Sequence, residues 1–137
     1  MSQENVEAVV KAVDAFSRGD ADDLVRTMEP DVVIEENDPD FGFIGLDPVY
    51  RGHEGARRWL AAVREPWDEL GGEVEEARPV GDDVVLLIAR LRGRGTGSGL
   101  AADVPTYQVF NMRAGRIVRR RIYAELQAAM QAAGVEE

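Results

Sequence analysis

The change of periodicity at Gly71 constrains this chain most. Before that point apolar residues recur at helical spacing; after it they alternate, with strands expected near residues 73–79, 84–94, 104–112 and 116–124. The breaks between them are short: Gly81-Asp82-Asp83, a glycine-rich stretch at 93–99, and Arg113-Ala114-Gly115. Connections of that length join antiparallel neighbours. Helices gathered ahead of such a run predict an α+β domain, a curved and mostly antiparallel sheet wrapped on its helices.

The helical half has its own punctuation. Val6, Val9, Val10, Val13 and Phe16 form one stripe, which stops at Arg18-Gly19. Asp20 is placed to cap a second, shorter helix carrying Leu24, Val25 and Met28, and Pro30 is expected to end it. A third stripe, Ala56, Trp59, Leu60 and Val63, stops at Pro66, and a last short helix, Leu126 to Ala133, stops at Gly134. Between the second and third helices lies a short strand, 32–37, followed by an irregular stretch at 38–52. That stretch is rich in Pro, Gly and Asp yet carries Phe41, Phe43, Ile44, Leu46 and Tyr50. Loops of that length serve as binding loops or lids, or complete a core with their apolar residues.

Size and charge narrow the function. The 137 residues suit one domain, residues 1–137, and at this size folding buries roughly two-thirds of the unfolded surface, enough for a core and a modest cavity. A net charge of -10 opposes nucleic-acid or anionic-membrane partners. With no cysteine there is no disulfide, thiolate metal site or cysteine nucleophile. The start MSQENVEAVV lacks the pattern of a signal peptide and no apolar run reaches spanning length, so a cytoplasmic protein is expected.

The segments FSRGDADDLVRTMEPDVVIEE, YRGHEGARRWL and NMRAGRIVRRRIYAELQAAMQAAG, in that order, resemble the SnoaL-like branch of the nuclear transport factor 2-like superfamily over nearly the whole chain. The resemblance implies a cone-shaped sheet closed by helices around an apolar pocket. Its relatives include isomerases, dehydratases, cyclases, epoxide hydrolases and proteins that only bind or dimerise, so the fold leaves the activity open.

One acid stands out. In the strand at 32–37, Val32, Ile34 and Glu36 share a face, which puts Glu36 at the edge of an apolar chamber, where loss of hydration would suit a carboxyl group to proton transfer. The resemblance to ketosteroid isomerases implies the same residue as general base. The isomerase pattern is otherwise broken: its helix-one tyrosine falls on Ala12, and its second acid falls near Gln108, whose amide N–H is the candidate orienting donor. The last-strand aspartate of the epoxide hydrolases falls near Ile122, which disfavours that reaction.

Trp59, Tyr107, Phe110 and Met112 are candidate pocket walls, with Phe41, Phe43 and Tyr50 contributing from the long loop. Arg120 has the parity to reach the cavity, where it would hold an anionic group or pair with Glu36, a pairing that would weaken the base. The outer sheet face is expected to be half apolar, with Val84, Leu86 and Ile88, and half basic. There Arg90, Arg92, Arg94, Arg119 and Arg121, balanced by Glu73 and Glu75, form a salt-bridged surface or a homodimer interface.

The only histidine, His53, reads as a surface residue at the start of a helix, and Arg57 stands where a zinc helix needs its second histidine. Asp38, Asp40 and Asp47 lack the spacing of a calcium loop, and the glycine-rich run at 93–99 reads as a flexible hairpin rather than a phosphate cradle. No metal or cofactor is expected. The expected partner is a small apolar metabolite, handled by an isomerase or cyclase without cofactor; a non-catalytic ligand-binding or dimerisation module is the contrasting class.

Overall fold

The computed structural model describes residues 2–36, 46–97, 99 and 101–135. Helix α1, Ser2–Arg18, buries a face built largely of small residues, Ala8, Val9, Ala12 and Ala15, and can therefore approach the sheet closely. One contact fixes its height. Ser17 Oγ donates to the Val13 carbonyl (2.9 Å) and accepts from the Gly72 amide (2.9 Å), while a side chain at Gly72 would press on Val13 Cγ1 at 3.1 Å. Gly19, in the left-handed region, ends α1, and Asp20 caps α2, Ala21–Arg26, by accepting from the Asp23 amide.

Strand β1, Met28–Glu35, begins earlier than the sequence suggests and contains Pro30. The proline is tolerated because the ladder is irregular between Met28 and Val33, where no amide is needed. A three-residue strand, β2 (Val49–Arg51), leads directly into α3, Gly52–Arg64. The long strands follow: β3 (Trp67–Val80), β4 (Val84–Gly95), β5 (Ala101–Arg113) and β6 (Arg116–Tyr123), then helix α4, Leu126–Ala133.

The sheet has the order β2-β1-β6-β5-β4-β3, antiparallel throughout except where β1 lies parallel to β6. Helices α1 and α3 pack into one face with Val32, Ile34, Val85, Leu87, Ala89 and Phe110. Strand parity alone would turn Ile117 away from Arg120 and Ile122. A bulge opposite Asn111 and Met112 restores all three to the inner face, where each is buried.

On the opposite face α4 covers Leu86 and Val109 with Ala129 and Ala133. The apolar half of the outer surface that sequence parity offered to a partner is thus covered by the chain's own helix. The arginine half pairs with acids, through Arg90 to Asp103 (2.9 Å), Arg92 to Glu73 (3.4 Å) and Arg119 to Glu35. Among the described residues, no helix is long and apolar enough to cross a membrane.

Candidate functional site

Glu36 is the first residue beyond β1, held in strand direction by its amide donating to the Pro48 carbonyl at 2.8 Å. Its carboxylate continues the inward face of Val32 and Ile34. Register brings the second charge to it: Arg120 on β6 lies beside Ile34, so two residues of strand length bring its guanidinium to Glu36. Arg120 Nη1 donates to Glu36 Oε1, and the two side chains are only 8% and 4% exposed.

The rest of the site holds that pair in place. Trp59, on α3, donates its indole N–H to the same Glu36 oxygen at 2.9 Å, and its ring lies under the guanidinium, 4.9 Å from centroid to carbon. Phe16 backs the indole at 5.6 Å. On β5 the Gln108 carbonyl accepts from Arg120 Nε (3.0 Å), and its amide donates to Thr106 Oγ1 (3.0 Å). Thr106 in turn donates to the Ala89 carbonyl (2.8 Å). A polar ladder therefore crosses an otherwise apolar chamber from a backbone carbonyl to a carboxylate.

These groups border a cavity of about 70 Å³ whose other walls include Ala12, Leu24, Val63, Leu91 and Ile122. Ligand sites commonly run to roughly 300–1,000 Å³, so this space suits a small molecule or one edge of a larger one. Among the described residues, Glu36 Oε2 and Arg120 Nη2 have no hydrogen-bond partner, and neither is a sealed, unsatisfied atom. Both belong to residues that border the cavity.

Glu36, Gln108, Trp59, Phe110 and Arg120 thus come together around one cavity. Five other candidate wall residues lie elsewhere or outside the described residues. Tyr107 has the opposite parity to Gln108 and packs on the outer face with the α4 cluster. Met112 and Tyr50 are buried in the core without bordering the cavity; the Tyr50 hydroxyl accepts from the Asp47 amide instead (2.9 Å). Phe41 and Phe43, with Asp38 and Asp40, lie outside the described residues.

Gln108 changes role, because its carbonyl faces Arg120 and its amide faces Thr106, leaving the guanidinium as the open donor. Thr106 went unnoticed, although its alternation with Gln108 and Phe110 on the β5 inner face was a usable signal. His53 is half-buried rather than on the surface, its Nε2 meeting the Met28 carbonyl at 2.9 Å and joining α3 to β1. Among the described residues, no group of three or more His, Cys, Asp or Glu side chains is placed to hold a metal.

The chain belongs to the SnoaL-like family: the SnoaL-like domain matches residues 9–120. No curated protein matches it in sequence. Its fold is shared with several solved structures. A protein from Jannaschia sp. CCS1, provisionally named a SnoaL-like polyketide cyclase, is 26% identical with a TM-score of 0.73, covering 99% of this chain and 95% of its own. A protein from Catenulispora acidiphila DSM 44928 with a ketosteroid isomerase-like fold, in complex with trimethylamine, is 19% identical with a TM-score of 0.74, covering 95% and 94%. The epoxide hydrolase/cyclase-like enzyme SalBIII, involved in pyran ring formation in salinomycin, is 18% identical with a TM-score of 0.73, covering 91% and 93%.

Proposed function

We propose that this chain is a small-molecule pocket protein, one domain over residues 1–137, that carries out cofactor-independent proton transfer on a small, mostly apolar metabolite, as an isomerase or aldol-type cyclase. Glu36 takes the proton, Arg120 stabilises the oxyanion that develops on the neighbouring carbonyl, and Gln108 positions Arg120. Trp59 and Phe110 wall the substrate. The observation that carries this reading is that Glu36 and Arg120 border one apolar cavity, with Glu36 Oε2 and Arg120 Nη2 each without a hydrogen-bond partner among the described residues. A base and an oxyanion donor at one point are what abstraction beside a carbonyl requires. Membership of a family that includes cyclases supports the reaction class.

The test is exchange of the α-protons of phenylacetone in D₂O, followed by proton NMR. The protein is expected to accelerate exchange over buffer, and Glu36→Gln to lose about 10²-fold or more of that acceleration. Glu36→Asp, which keeps the charge but withdraws it by one methylene, is expected to fall between. Equal rates for the parent and Glu36→Gln would overturn the assignment.

A second reading, a non-catalytic ligand-binding module, draws on the fact that Glu36 Oε1 already accepts from both Trp59 and Arg120, an arrangement that restrains the carboxylate. The same exchange assay separates the two. We further propose a homodimer formed through the arginine-bearing part of the outer sheet face beyond the α4 cluster, where Ile88 is half-buried beside Arg90. Light scattering on the eluted protein tests it; a monomer at high micromolar concentration would count against it.

A further inference from the structure

We propose that this cavity selects uncharged ligands presenting a hydrogen-bond acceptor and a donor on one edge, as a carboxamide or lactam does, the acceptor meeting Arg120 and the donor meeting Glu36. The inference deepens the reading of this cavity as a ligand pocket and rests on it, but not on any reaction occurring there.

Three observations carry it. The two charges cancel inside the cavity, where both side chains are more than nine-tenths buried. The other polar side chains of the inner wall are already bonded to one another, Trp59 to Glu36 and Gln108 to Arg120 and Thr106, while Arg90 at the margin pairs with Asp103. Among the described residues, the side-chain atoms of this group left without a hydrogen-bond partner are one acceptor, Glu36 Oε2, and one donor, Arg120 Nη2, on residues that already touch.

A ligand carrying net charge breaks this balance. An anion drawn to Arg120 would stand against the Glu36 carboxylate in a space largely closed to water, and a cation drawn to Glu36 would stand against the guanidinium. Either would leave one buried charge without compensation. A neutral amide edge gives its carbonyl to the guanidinium and its N–H to the carboxylate, and both remaining polar atoms are satisfied. A ligand with an acceptor alone would desolvate the carboxylate and return nothing.

Four probes share one phenyl body: benzamide, N,N-dimethylbenzamide, benzoate and benzamidinium. Binding to the full chain is read from the indole N–H resonance of Trp59, assigned with Trp59→Phe. Benzamide is expected to bind at least about tenfold more tightly than each of the other three. The variants reverse the order in opposite directions: Glu36→Gln is expected to prefer benzoate, and Arg120→Met to prefer benzamidinium.

Benzoate, benzamidinium or the dimethyl amide binding the parent as tightly as benzamide would overturn the proposal, as would no benzamide binding up to its solubility limit. Should either variant fail to fold, the parent ranking alone decides. Selective benzamide binding without proton exchange would refute only the catalytic reading. Exchange with indiscriminate binding would refute only this one.

Discussion

Removing one member of the Glu36–Arg120 pair is expected to damage this protein more than removing both. The side chains are 4% and 8% exposed, so little solvent remains to screen whichever charge is left behind. Truncating one partner of a buried pair typically costs about 3–5 kcal/mol, whereas replacing both with groups of similar volume is often neutral. Arg120→Met leaves Glu36 with only the Trp59 indole N–H among the described residues, and Glu36→Gln leaves the guanidinium with the Trp59 ring and an amide. The first is expected at the upper end of that range and the second at the lower.

For a chain of this length each kcal/mol moves Tm by roughly 3–4 °C, so Arg120→Met, at about 4–5 kcal/mol, is expected to melt about 12–20 °C lower. The double variant should recover at least about a quarter of the summed loss, a coupling of about 2 kcal/mol or more by urea denaturation. Additive single effects, with coupling under about 0.5 kcal/mol, would refute the argument that the two charges are buried together and compensate one another.

Three further outcomes follow from the scaffold. Gly93→Ala places a Cβ 2.8 Å from the Glu69 carbonyl and 2.8 Å from Leu70 Cδ1, so overpacking of about 1–3 kcal/mol is expected as a lowered urea midpoint with unchanged slope. Arg64 Nη1 donates to the Phe16 and Leu70 carbonyls at 2.8 and 2.9 Å, fastening the end of α1 to β3; Arg64→Ala is expected to cost about 1.5–3 kcal/mol in thermal denaturation. The Arg119 guanidinium holds the Glu35 carboxyl below the ordinary glutamate value of 4.5, so this pair stabilises the fold above that pH and its contribution is lost as pH falls through the lower folded value. Arg119→Met is expected to flatten that part of the acid limb in a series of urea midpoints against pH, and an unchanged slope would contradict the assignment.

Local chemistry made much of this legible in the sequence. Gly19 and Asp20 mark the junction of α1 and α2 because a left-handed stop and a side-chain cap are decided by the residues themselves. Alternation placed Glu36, Gln108, Phe110 and Arg120 on the inner face for the same reason. What escaped depended on partners distant in the chain. Pro30 read as a terminator, yet the irregular β1–β6 ladder admits it. Ile117 and Arg120 share a face only because of a bulge that no single strand announces. The half-apolar outer face looked free for a partner, since α4 is recognisable as a helix in sequence but its docking on Leu86 and Val109 is a tertiary choice. Gln108 was identified as a site residue, but the direction of its amide depends on Thr106 and Arg120, neighbours that strand pairing and parity supply.

Stability alone gives little reason for the ion pair at the cavity. Among the described residues it is the only ion pair with both side chains less than a tenth exposed; the pairs of Arg90, Arg92, Arg113 and Arg119 all lie where water reaches at least one partner. Surface pairs of that kind contribute roughly 0–1 kcal/mol and can be exchanged at small cost, whereas a buried pair must offset several kcal/mol of lost hydration per ion. Leucine or methionine at positions 36 and 120 would extend the apolar walls formed by Ile34 and Ile122 without that cost. Instead the chain builds a ladder of Thr106, Gln108 and Trp59 around the two charges beside the cavity and, among the described residues, leaves one oxygen and one nitrogen of the pair without a partner. A polar arrangement that is costly to bury, oriented by its neighbours and left incomplete beside a cavity, is what a site awaiting a small ligand requires; a core optimised for packing would have closed it.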